Sequence, residues 1–79
     1  MDYQNIMSKA KNKLKGQFDY IIDDIAGKIS SGSTGGEISS TVGKYIKDLE
    51  INNPAAYSLL RNDIQLYLRE CEKQGLNIK

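Results

Sequence analysis

The stretch from Asn53 to Gly75 constrains this chain more than any other, because it carries a helix start, a helix stop and two apolar sides. Asn53-Pro54 reads as the start. Proline lacks an amide hydrogen and has a fixed φ, which suits the first helical turn, where that amide would have no partner. The residue before a proline is pushed out of the helical region, so the Asn53 side chain can accept from the first-turn amides. At the far end, Gly75 suits a left-handed residue just past the helix, with Leu76 folding back towards Cys71. Lys73 lies in the last turn, where a positive charge complements the helix dipole. Tyr57, Leu60, Ile64, Tyr67, Leu68 and Cys71 recur at helical spacing and make one apolar stripe. Leu59 and Leu66 fall outside it. At about 100° per residue they lie roughly opposite the stripe, one above the other, and Ala55 extends the same side. A helix that is apolar on two sides is either sandwiched between neighbours or keeps one side for a partner. Asn62, Asp63, Glu70 and Lys73 read as the polar border of that second side.

Residues 2–30 also carry a helical stripe: Tyr3, Ile6, Met7, Ala10, Leu14, Phe18, Ile21, Ile22, Ile25 and Ile29. Asp2 is placed to cap it. Gly16 interrupts the stretch. Lys9, Lys11, Lys13 and Lys15 precede it, and Asp19, Asp23 and Asp24 follow. In one helix this order opposes the dipole, whereas in two helices each charge falls nearer the end that favours it. The stripe nevertheless passes Gly16 in phase, and a glycine costs a helix only about 1 kcal/mol. The reading therefore favours a continuous helix with a weak point at Gly16. The lysines themselves sit at every second position, Lys9 with Lys13 on one side and Lys11 with Lys15 on another. That is a solvated surface more than one tight basic stripe.

Residues 30–36, rich in serine and glycine, read as a flexible connection with no large apolar side chain to anchor it. Its amides could cradle a phosphate, but it lacks the lysine and the glycine spacing of a P-loop. Thr34 and Glu37 have capping-box spacing. A short amphipathic helix over 36–50 follows, with Ile38, Val42, Tyr45, Ile46 and Leu49 on one face. Beyond Gly75 the chain is expected to pack only through Leu76.

Composition removes whole classes of chemistry. The 79 residues contain no histidine and one cysteine, and the net charge is +1. The usual general base, the usual catalytic triads, most zinc sites and an internal disulfide are therefore not expected. Cys71 lies on the apolar stripe and reads as core. No apolar run is long enough to span a bilayer, and the N-terminus lacks the order of a signal peptide. A single cysteine fits a reducing cytoplasm.

Two stretches resemble parts of DNA-binding families. Residues 38–50, from Ile38-Ser39-Ser40-Thr41 to Leu49-Glu50, resemble the recognition helix of a winged helix-turn-helix protein, and Asp24-Ile25-Ala26 the start of the helix before it. The connection reads as longer than the usual three or four residues, and no wing follows. Gly32-Ser33-Thr34-Gly35-Gly36-Glu37-Ile38-Ser39 is similar to the glycine-glycine-glutamate stretch of the α/β-type small acid-soluble spore proteins, which bind DNA through two helices. Leu14, Gln17, Phe18, Tyr20, Ile22 and Gly27 fall roughly where that family's first helix has comparable residues. The segment between these matches is several residues shorter here, and Ser40 and Thr41 stand where that family has basic residues.

The chain as a whole, 1–79, reads as one all-α domain: a small bundle of three helices over about 2–30, 36–50 and 54–74, or four if the first breaks at Gly16. The expected function is a non-enzymatic interaction module, cytoplasmic, that binds a protein partner or itself through Ala55, Leu59 and Leu66, with no cofactor, metal or membrane. The alternative is a small DNA-binding protein contacting nucleic acid through Lys9, Lys13, Ser39, Ser40, Lys44 and Lys47.

Overall fold

The computed structural model describes residues 2–76 and 78. It is all-α, with four helices: α1 (Tyr3–Leu14), α2 (Asp19–Ser31), α3 (Gly35–Asn52) and α4 (Pro54–Lys73). No strand is present among the described residues.

Three of the four helix starts use the caps that the sequence offers. Asp2 accepts from the Asn5 amide at 2.9 Å, Thr34 from the Glu37 amide at 3.1 Å, and Asn53 from the Ala56 amide at 3.2 Å. Each bond satisfies an amide that the first helical turn leaves without a partner. The stop at Gly75 also forms as expected. Gly75 has φ +82°, its amide donates to the Glu72 carbonyl at 3.0 Å, and the Leu76 amide reaches back to the Cys71 carbonyl at 2.9 Å. That pair of bonds is a Schellman motif. The expectation that the chain beyond Gly75 packs only through Leu76 is corrected, because Ile78 is half-buried against the core as well. A Cβ on Gly43 would collide with Ile78, so the space left by the missing side chain holds it.

The expectation of a continuous first helix is corrected. The chain breaks at Gly16, whose φ is +87°. The Phe18 amide closes the end of α1 on the Leu14 carbonyl at 2.8 Å. The Asp19 carboxylate then accepts from the Gly16 amide at 2.6 Å, tying the start of α2 to the turn. Lys11 and Lys13 fall in the last turn of α1, and Asp19 in the first turn of α2, so charge order prevails over the unbroken phase of the stripe. The connection between α2 and α3 is also shorter than its composition suggests. Ser30 and Ser31 belong to α2, Gly35 and Gly36 to α3, and only Gly32, Ser33 and Thr34 lie between. Ile38 lies so close over Gly32 that a Cβ there would collide with it.

Around the bundle, α1 packs on α2 and α4, and α3 packs on α2 and α4, while α1 and α3 touch little across the middle. With 20 residues, α4 is about 30 Å long, close to the 33 Å long dimension of the molecule. Its inner side buries Ala56, Leu60, Ile64, Tyr67 and Cys71 against Ile6, Ala10 and Leu14 of α1 and Val42, Ile46 and Leu49 of α3. α2 adds Ile21 and Ile25 to the same core. The turn from α3 into α4 is a single residue. The Asn53 amide donates to the Leu49 carbonyl at 2.8 Å, its carbonyl accepts from the Tyr57 amide at 3.0 Å, and its side-chain Nδ2 donates to the Tyr20 hydroxyl of α2 at 2.7 Å. Asn53 thus ends one helix, starts the next and ties both to a third.

The break at Gly16 has a direct test in urea unfolding. Gly16→Ala forces a Cβ into the left-handed region and lowers stability by about 1–2 kcal/mol. Gly27→Ala, inside α2 with open space around it, raises stability by about 0.5–1 kcal/mol. A Gly16→Ala chain more stable than the parent would mean that the helix runs through.

Candidate interaction surface

The inner side of α4 is fully used. Leu60, Ile64 and Tyr67 are 0% exposed, and the Tyr67 hydroxyl, deep between α4 and α3, donates to the Ser39 carbonyl at 2.8 Å. Burial holds the Tyr67 phenol far above its ordinary range and raises the Cys71 thiol as well. Both groups therefore stay protonated and neutral, as an apolar interior requires.

The second side of α4 faces out. Leu59 is 42% and Leu66 48% exposed, and Ala55 is exposed with them. Leu66 lines a shallow recess of about 350 Å³ with Asn62, Gln65 and Arg69. Lys73 pairs with Glu70 at 3.5 Å beside it. One residue read as border is corrected. Asp63 turns inward, 7% exposed, and accepts from Lys13 Nζ at 2.6 Å across the α1–α4 contact. A carboxylate buried to that degree needs such a partner. Nothing local signals the pair, because its members stand 50 residues apart in the chain.

The pair also changes the reading of the lysines. Lys13 is a packing partner of Asp63, and Lys9 is half-buried. Lys44 pairs with Asp48 at 3.1 Å. Lys47 lines a different recess, with Leu68 and Glu72 of α4. Ser39 and Ser40 are half-buried. Lys44 and Ser40 do share a surface, a depression of about 440 Å³ that they line with Lys28, Thr41, Tyr45 and Asp48. Within it Lys28 Nζ lies 5.0 Å from the centre of the Tyr45 ring, a cation–π distance. The Tyr45 hydroxyl donates to Asp24 Oδ2 at 2.7 Å, and burial together with that carboxylate raises the Tyr45 phenol. Lys28 was not among the residues picked from the sequence. Its only signal there was a lone lysine near the end of α2, and its ring partner stands on another helix. Acidic side chains thus sit among the cations on this face.

Among the described residues, no three acidic or thiol side chains converge as a metal site would require, and no helix is long and apolar enough to cross a membrane. What the molecule offers is a small all-α bundle with an apolar strip along the outside of its longest helix. No family model matches the chain, and it matches no curated protein and no solved structure.

Removing Lys13 exposes the cost of the buried carboxylate. Lys13→Met leaves Asp63 without its donor and lowers stability by about 1–3 kcal/mol. Lys11→Met, at an exposed position, changes it by less than about 0.5 kcal/mol. Equal effects in thermal unfolding would show that the pair contributes nothing.

Proposed function

We propose that this chain is a non-enzymatic helical interaction module of the cytoplasm, which binds through the outer side of α4 to a helix of a protein partner or of a second copy. The observation that carries this reading is the exposure of Leu59 and Leu66, two turns apart, on a helix whose other side is saturated with core contacts. An apolar strip with a polar border is what helix-to-helix docking needs. The residue types in the chain support the non-enzymatic part, since there is no histidine and the one thiol is buried. Two half-exposed leucines bury far less than the roughly 800 Å² per partner of a stable complex. The strip is therefore the centre of a weak contact, completed by its polar border.

One observation favours the second reading, DNA binding through α3. The three-residue connection between α2 and α3 has the length of a helix-turn-helix turn. Weighing against it, Lys13 and Lys44 are paired with carboxylates and Asp24 and Asp48 stand beside Lys28 and Lys44. Phosphate contacts through Lys13, Lys28 and Lys44 are therefore partly offset by nearby acids.

Sedimentation equilibrium separates the two. The parent should associate with a Kd on the order of 0.1 mM, typical of a contact below standard size, and bind no duplex DNA tightly at physiological salt. The double variant Leu59→Glu/Leu66→Glu should stay monomeric. Association that persists in the variant would remove this face from the proposal. Sub-micromolar duplex binding that weakens steeply with salt would move the function to α3.

A further inference from the structure

Three features meet at the turn between α1 and α2. Gly16 holds a left-handed conformation, φ +87°, with open space where a Cβ would stand. The turn alone, and no close neighbour, therefore calls for glycine. α2 is also the one helix of the four that starts without a side-chain cap, because Phe18 at its N-cap makes no side-chain hydrogen bond. A helix running on from α1 would supply carbonyls to the first-turn amides of α2. Finally, the apolar stripe crosses the turn in phase. At about 100° per residue, Ala10, Leu14, Phe18, Ile21 and Ile25 fall on one side of a straight helix. The residues that α1 and α2 now give to the core would share that side.

We propose that the turn at Gly16 is a hinge through which two copies of this chain exchange α1. Straightened, residues 3–31 form one helix of about 43 Å. α1 then leaves its own bundle and takes the same place on the other copy, against the α2 and α4 of that copy, and the other α1 does the reverse. The contacts that hold α1 in the closed chain are rebuilt between chains. Ile6, Ala10 and Leu14 enter the other core, and Lys13 meets the Asp63 of the other copy. A second copy is the occupant that fits, since the place that α1 vacates is shaped by α1 itself. Exchange of an identical element keeps the packing of the closed form and alters only the hinge. Gly16 keeps the parent mostly closed, because glycine suits the left-handed turn and weakens a helix interior. α1 must come off the core before it can exchange, so the two forms interconvert no faster than the chain unfolds. The exchange uses the buried side of α4 and does not depend on the Leu59–Leu66 strip.

The test is refolding at low and high protein concentration, followed by dilution and a mass measurement on a sizing column. A weak contact through the outer strip is lost on dilution, whereas an exchanged dimer persists. Gly16→Ala strains the turn and supports the helix at both hinges of a dimer, so it should raise the dimerisation constant by about a hundredfold or more. In dilute solution the same variant stays closed and is only less stable than the parent. Charge reversal then identifies the exchanged element. Lys13→Asp and Asp63→Lys, made in separate chains, each set like charges together in the closed form, and an exchanged heterodimer restores both ion pairs. Refolded together, with Gly16 kept or replaced, the two chains should give at least ten times more dimer than either alone. The proposal is wrong if Gly16→Ala refolds with no more dimer than the parent. It is also wrong if the mixed chains behave as the sum of the separate ones.

Discussion

The burial of one side of α4 between α1 and α3 is the constraint on which the rest of this structure depends. Leu60, Ile64 and Tyr67 are each withdrawn completely from water, and burial of such side chains contributes on the order of 2 kcal/mol apiece. The other helices are arranged to cover that side. α1 and α3 flank it, and α2 joins them from across the core without packing on α4. Helices so placed cover one flank of α4 and leave the other outside. Because the sequence gives α4 apolar residues on both flanks, an exposed apolar strip follows from the arrangement itself.

Polar groups fix how the helices sit once burial has brought them together. The Tyr67 hydroxyl sets α4 against a backbone carbonyl of α3, and Lys13 with Asp63 sets α1 against α4. Tyr45 with Asp24 does the same for α3 and α2, and Asn53 with Tyr20 holds the α3–α4 corner to α2. Each of the four helices therefore has a directional tie to at least one helix it packs on. In a bundle this small, where apolar packing alone specifies position loosely, such ties favour a single arrangement. Two of them involve buried charge or a buried hydroxyl, and neither leaves a side-chain donor or acceptor unpaired.

Much of the fold was legible because its signals are local. The caps at Asp2, Thr34 and Asn53, the stop at Gly75 and the stripe of α4 each depend on residues a few positions apart. The break at Gly16 was not decided by such signals. Stripe phase argued for continuity, dipole order argued against it, and the two effects are of similar size. The Asp19 bond to the Gly16 amide is a feature of the folded turn that the stripe does not encode. Asp63 and Ile78 were misplaced for a different reason. Each is defined by a distant residue, Lys13 in one case and Gly43 in the other, and Gly43 in isolation reads only as a weak helix former. For the candidate surface, the sequence identified Leu59 and Leu66 as outside the main stripe. Whether another helix would cover them depended on how the helices are arranged around α4, which periodicity alone does not determine.

The central claim is that one apolar side of α4 folds the chain and the other does not. Urea unfolding of two variants tests it most directly: Leu59→Glu/Leu66→Glu on the outer side and Leu60→Glu on the inner. The account predicts that the outer double variant keeps a cooperative transition within about 1 kcal/mol of the parent, as surface changes do. The single inner variant should lose the transition altogether, because an unpaired buried charge costs several kcal/mol against a total of only about 5–15 kcal/mol. An outer variant that unfolds as completely as the inner one would contradict the account.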